Sequence, residues 1–179
     1  PDQQQTSSET KTTEETHADA ATPPQEDNKA VTSSSGTTNT PAKKLFGAVK
    51  IPVAMQPRAI GFYTKGCLAG ATPLAIDGPS WQAMRLSRNR NWGHPQLITL
   101  LERYANDVQK KDGWSGLLIG DISQPRGGPM ITGHASHQLG LDADIWFTPM
   151  PSRRLSMEER ENLAAISMLT SDSLSVNAK

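Results

Sequence analysis

Leu141-Asp142-Ala143-Asp144-Ile145-Trp146-Phe147 alternates between two sets of side chains, with Leu141, Ala143, Ile145 and Phe147 in one and Asp142, Asp144 and Trp146 in the other. A period of two belongs to an extended strand, whose successive side chains point to opposite faces. This reading predicts a strand over 141–147 with one apolar face and both carboxylates on the other. Just before it stands Gly133-His134-Ala135-Ser136-His137-Gln138-Leu139-Gly140. A turn at Gly140 can fold His137 back beside Asp144.

That arrangement offers a cation one imidazole nitrogen and one carboxylate oxygen, the mixed donor set of catalytic zinc sites that keep a position open for water. Asp142 and the second histidine are then available to hold the ligands in orientation. A His–Asp pair that makes only a structural hydrogen bond fits the spacing equally well. Two ligands also fall short of the usual three, so the third is either His134 or a residue beyond Lys179. An iron oxygenase centre of two histidines and one carboxylate, built on His134, His137 and Asp144, fits less well, because such sites usually draw their ligands from separated strands.

Upstream, Leu97, Leu100, Leu101, Tyr104 and Val108 recur at three- and four-residue steps and predict a helix with these residues on one face. Pro95 suits its first turn, Lys110 and Lys111 suit its carbonyl end, and Gly113 can take the left-handed conformation that closes it. Residues 60–63, 81–86 and 117–122 are the candidate strands, the first followed by a turn at Gly66-Cys67. Downstream, Ser156 with Glu159 three residues later makes a capping box. It predicts a helix running to about Leu169 with Leu163, Ile166 and Leu169 facing inward. Gly127-Gly128-Pro129 lacks the order of a phosphate-binding loop and is taken as a flexible rim. The whole describes an α+β domain: a small, mostly antiparallel sheet with the histidine-aspartate motif on one strand and helices packed outside.

The first forty-odd residues contribute no such pattern. Before Leu45 there is no Leu, Ile, Met, Phe, Trp or Tyr, so burial there cannot offset the entropy of ordering the chain. Residues 1–43 are expected to be a disordered, acidic, Ser/Thr/Pro-rich extension, leaving 44–179 as the folded part. Residues 1–40 hold seven acids against Lys11 and Lys29, a net charge of −5, and the remainder carries +5. A mildly basic domain suits an acidic polymer. No Lys/Arg cluster of the nucleic-acid type is present, and no apolar run is long enough for a transmembrane segment. The start at Pro1 shows no signal peptide, so a leader was either removed or never present. Cys67 is the one cysteine, which excludes an internal disulfide and a cysteine-rich zinc site. His94 can line a cleft, although a histidine bonding turn backbone is the commoner case. Arg85, Arg88 and Arg90 can either attract carboxylates or form a solvated basic edge.

The segment 133–145, with Gly66-Cys67-Leu68-Ala69-Gly70-Ala71, Met84-Arg85, Gly93-His94-Pro95 and Leu118-Ile119-Gly120-Asp121 in the same order, resembles the penicillin-insensitive murein endopeptidases. These are a branch of the metallopeptidase group that includes lysostaphin-type and D-Ala-D-Ala-cleaving enzymes. The resemblance covers roughly residue 52 onward. It implies a periplasmic zinc (Zn2+) endopeptidase of the cell wall that hydrolyses D-alanyl to meso-diaminopimelyl cross-links between peptidoglycan stem peptides. It further implies His137 and Asp144 as zinc ligands and His134 as a further ligand or support. The family's third ligand and base come from a His-x-His motif near the C-terminus. Its match to Cys67 pairs with a cysteine that would lie beyond Lys179.

This sequence departs from the pattern in two ways. It stops at Lys179 without a His-x-His, so it is expected to be the front part of such a domain and, alone, nearly inactive. Asp172 matches the acid of a second, Asp-x-x-His run, but Ser175 stands where the histidine belongs, so a second metal site is in doubt. The alternative function is a non-catalytic peptidoglycan-binding or regulatory module with a degenerate metal site.

Overall fold

The computed structural model describes residues 39–170 and 174–176; the extension expected over 1–43 lies almost wholly outside them. Helix α1 (Ala42–Ala48) buries none of its residues fully. A hairpin follows, β1 (Arg58–Phe62) against β2 (Lys65–Ala69), with Gly61 opposite Gly66. Its turn falls at Tyr63-Thr64 rather than at Gly66-Cys67, which lie within β2. Short strands β3 (Thr72–Pro73) and β5 (Trp92–Gly93) pair antiparallel. Between them lie β4 (Trp81–Ala83) and a 3-10 turn at Leu86–Arg88. Helix α2 (Pro95–Asp112), β6 (Leu117–Ile119), β7 (Ile145–Trp146) and α3 (Met157–Asn162) complete an α+β fold.

The central sheet runs β4-β6-β7, with β4 parallel to β6 and β7 antiparallel to it. All three residues of β6 are buried, as expected of a strand covered on both faces. Leu117 and Ile119 pack with Ile98, Leu101, Ala105 and Val108 of α2 and with Trp81. Leu118 points the other way, to Met84, Trp146, Met150 and Leu155. Truncating Leu118 to alanine would empty this fully buried position at a cost of about 2–5 kcal/mol.

Helix α2 has the predicted ends. The His94 side chain caps it by accepting from the Gln96 N–H, Pro95 sits at the first position, Lys110 and Lys111 lie in the last turn, and Gly113 is left-handed. Its buried face differs from the prediction: Ile98, Leu101, Ala105 and Val108 point inward, whereas Leu100 and Tyr104 are exposed. Ala105 is small enough to let the helix lie close on the sheet, so side-chain size was a misleading guide to the buried face.

Two further expectations are corrected. The strand predicted over 141–147 spans only Ile145–Trp146, and its faces are inverted. Trp146 is 9% exposed, while Leu141, Ile145 and Phe147 face solvent, Phe147 being 68% exposed. Trp146 has the larger surface to bury and takes the inner position under Arg85, whose guanidinium lies 5.4 Å from the ring centre. The capping box at Ser156 and Glu159 forms with both of its bonds, but α3 stops at Asn162. Leu163, Ile166 and Leu169 are exposed. A short helix depends on packing for its stability, and none of these three residues is buried.

Candidate metal centre

Beyond Ile119 the ladder between β6 and β7 continues through two hydrogen bonds. The Gly120 N–H donates to the Asp144 carbonyl at 2.8 Å and the Asp144 N–H to the Asp121 carbonyl at 2.9 Å. Gly120 makes this approach possible, because a Cβ there would lie 3.2 Å from the Asp144 Cβ. Two carboxylates, Asp121 and Asp144, are thereby set side by side at the end of a buried strand. The loop between them returns His134 and His137 to the same spot, with ring centres 4.6 Å apart. His137 Nε2 is 3.4 Å from Asp144 Oδ1, and His134 Nε2 is 3.5 Å from Asp144 Oδ2.

His137 is the most constrained member. It is 3% exposed, and its backbone is left-handed at φ 65°, a conformation that costs a non-glycine residue on the order of 1–3 kcal/mol. Several contacts hold it there. The buried Ser123 hydroxyl donates to its carbonyl, and its N–H donates to Asp142 Oδ2 at 3.2 Å. The same Asp142 oxygen lies 2.7 Å from Nδ1, out of line for a hydrogen bond among the described residues. With Asp142 against Nδ1, Nε2 is the nitrogen that faces Asp144.

The loop is braced as a whole. Buried Gln138 donates to the Thr64 and Ala135 carbonyls at 2.9 and 3.0 Å and accepts from the Gly66 N–H at 3.1 Å, fastening the motif to the first hairpin. Gly127 and Gly128 are buried, which corrects their reading as a rim. A Cβ on Gly127 would meet the Gln138 carbonyl at 2.1 Å, and one on Gly128 would enter the Phe46 ring. Gly140 is left-handed, and its carbonyl receives the His94 N–H at 2.8 Å, tying the motif to the start of α2.

One acid of the site was not singled out from sequence. Asp121 is buried, and its Oδ2 accepts from Arg90 at 2.7 Å and Arg88 at 3.0 Å while lying 3.4 Å from His134 Nε2. Its Oδ1 has no hydrogen-bond partner among the described residues. The signal was present: an ionisable residue ending an apolar buried strand needs a charged partner. Of the three arginines weighed, Arg90 is 7% exposed and committed to Asp121 and Thr132. Arg85 covers Trp146 and donates to the Leu163 carbonyl. Arg88 alone of the three is exposed, its side chain at 42%.

The three predicted ligands thus converge: His134, His137 and Asp144 each offer an atom within 4.8 Å of the others. Two imidazole nitrogens and a carboxylate oxygen fit a borderline cation such as zinc. His94 caps α2 and is not among these donors. Asp172 lies outside the described residues. Cys67, on β2 opposite Ile60, is half-buried and free.

Among the described residues, no helix is long and apolar enough to cross a membrane. Residues 59–179 match the family model described as penicillin-insensitive murein endopeptidase. Curated proteins of that name are similar to this chain. One from Pectobacterium atrosepticum is 36% identical over 138 residues, 77% of this chain and 48% of the relative. One from Yersinia enterocolitica is 40% identical over 121 residues, 68% and 43% respectively. One from Haemophilus influenzae is 52% identical over 87 residues, 49% and 30%. The chain therefore spans about half the length, or less, of these curated relatives. With its convergent histidines and aspartate inside the matched region, the chain belongs to the penicillin-insensitive murein endopeptidase family.

Proposed function

We propose that this chain carries the zinc-binding part of a periplasmic endopeptidase that hydrolyses the D-alanyl to meso-diaminopimelyl cross-link of peptidoglycan. The observation that carries the reading is the approach of His134, His137 and Asp144 to within 4.8 Å of one another, inside the region that matches the family. In it, His137 and Asp144 are ligands and His134 is the third donor of this chain. When bound, zinc polarises the scissile carbonyl and lowers the pKa of a coordinated water.

The chain's own residues prepare the site. Asp142 sits on His137 Nδ1 and leaves Nε2 for the metal. Ser123 holds the strained His137 backbone in place. Asp121, neutralised by Arg90, presents a carboxylate oxygen to His134. Such outer partners commonly change metal affinity by about 10- to 100-fold.

The test is digestion of purified cross-linked peptidoglycan by the full-length protein, with and without chelator, and by its His137→Ala variant. Cross-linked dimers should fall to monomers only with intact His137 and metal. Cleavage that survives both chelator and substitution overturns the zinc reading. Sedimentation with peptidoglycan without any cleavage selects the non-catalytic binding module instead.

A further inference from the structure

We infer that Arg88 is the anchor for a substrate carboxylate lying beside the scissile bond, an inference that rests on the murein reading above. Three observations carry it. First, Arg88 Nη1 and His134 Nε2 touch the same oxygen, Asp121 Oδ2, at 3.0 and 3.4 Å. The guanidinium therefore stands one carboxylate oxygen away from the metal-binding imidazole. Second, Arg88 holds the outer place on that oxygen: Arg90 is buried and closer, at 2.7 Å, so Asp121 keeps an ion pair whichever anion Arg88 faces. Among the described residues the Arg88 guanidinium has no other hydrogen bond than the one from Nη1, and the side chain is 42% exposed.

Third, the turn that carries Arg88 is held in place at some strain. Arg85 and Asn89, on either side of Leu86–Arg88, are both left-handed, at φ 54° and 51°. With His137 they are the non-glycine residues of positive φ among the described residues. Glu161 of α3 clamps the turn by accepting from the Ser87 N–H at 2.8 Å and the Ser87 hydroxyl at 2.9 Å. The Trp92 indole N–H holds Asn89 Oδ1 at 2.8 Å.

The proposed substrate has a matching group. In a D-alanyl to meso-diaminopimelyl cross-link, the amide nitrogen is bonded to a carbon that also bears a free carboxylate. A guanidinium fork is the side chain suited to hold that carboxylate while the carbonyl faces the metal.

The experiment compares full-length wild type with Arg88→Gln on two cross-linked muropeptide dimers, one with that carboxylate free and one with it amidated. Amidation should lower the wild-type kcat/KM about 10- to 100-fold, the usual worth of a hydrogen-bonded charge. It should change that of Arg88→Gln less than about twofold. Bound zinc should stay at the wild-type level in the variant, because Arg90 continues to hold Asp121. In the metal-free protein, the Arg88 Nε resonance should shift on adding the free-carboxylate dimer and not the amidated one. If Arg88→Gln fails to fold, Arg88→Lys replaces it and should discriminate less than wild type. Full discrimination in either variant, or equal cleavage of both dimers by wild type, overturns the role of Arg88. A wild type that cleaves neither dimer overturns the murein reading instead.

Discussion

The metal loop, residues 123–144, and the segment 163–170 both lack regular helix or strand, yet they are held in opposite ways. The loop is polar and glycine-rich but fastened by buried or partly buried bonds: Ser123 to His137, Gln138 to the hairpin turn and β2, and Gly140 to the start of α2. The later segment has the apolar spacing of a helix face, but Leu163, Ile166 and Leu169 are exposed. Buried polar bonds can specify an irregular path completely, because each broken bond leaves a desolvated group without a partner. An apolar pattern specifies structure only when a surface is present to receive it.

The largest expected effect breaks the first half of this contrast. Gln138→Leu keeps the volume but orphans the Gly66 N–H and the Thr64 and Ala135 carbonyls. At about 1–3 kcal/mol per stranded buried group, tempered because these groups are only partly buried, the loss should be about 3–5 kcal/mol in urea unfolding. A loss below about 1 kcal/mol would show that the loop is held by something other than these bonds.

The same contrast explains what was legible in the sequence. The ends of α2 and the start of α3 could be read because capping is local: Pro95, Gly113 and the Ser156–Glu159 pair act within a few residues. The meeting of His137 with Asp144 could be read because a turn and a short extended segment suffice to bring it about. Depth could not be read. Ala105 is inside and Leu100 outside because of what packs on α2, and Trp146 rather than Ile145 faces inward because of its partners in the second core cluster. Asp121 escaped notice for the same reason, since its importance lies in Arg88, Arg90 and His134, residues 13 to 33 positions away in the chain.

A smaller effect sharpens the contrast at the metal. Asp142→Asn removes the charge against His137 Nδ1 while keeping the side chain's shape. Zinc affinity, measured by competition with a chromophoric chelator, should fall about 10- to 100-fold, with the circular dichroism of the fold unchanged. Unchanged affinity would mean that Asp142 acts on the loop backbone alone, through the His137 N–H.

Acid should loosen the boundary between the two regions. Hydrogen bonds from Arg153 and from the Ser156 N–H lower the Glu159 pKa to about 2 from its ordinary 4.5. Burial works against the Asp77 carboxylate, but hydrogen bonds from Arg160 and Arg154 outweigh it and hold its pKa below the ordinary value. Both groups have a lower pKa folded than unfolded. Their contribution is therefore complete above the unfolded values and is lost as pH falls from about 4.5 toward 2. Amide-exchange protection across Met157–Asn162 should decline in that window. The decline should be modest, because the Arg153–Glu159 pair is solvent-exposed. Constant protection down to pH 2 would remove the capping box from any part in holding α3.

The smallest effect tests the second half. Ile166 is 51% exposed, so Ile166→Ser exchanges a mostly hydrated side chain for a polar one. An exposed substitution away from caps and cores usually changes stability by no more than about 0.5 kcal/mol. Urea unfolding of this chain should therefore leave Ile166→Ser close to wild type, beside a Gln138→Leu variant that loses several times as much. A loss above about 1.5 kcal/mol, the cost of stripping a buried aliphatic group, would show that Ile166 is covered in solution. The inward helix face predicted from the sequence would then form after all. The contrast between the two irregular regions would reduce to one between a loop held by its own bonds and a segment held by its surroundings.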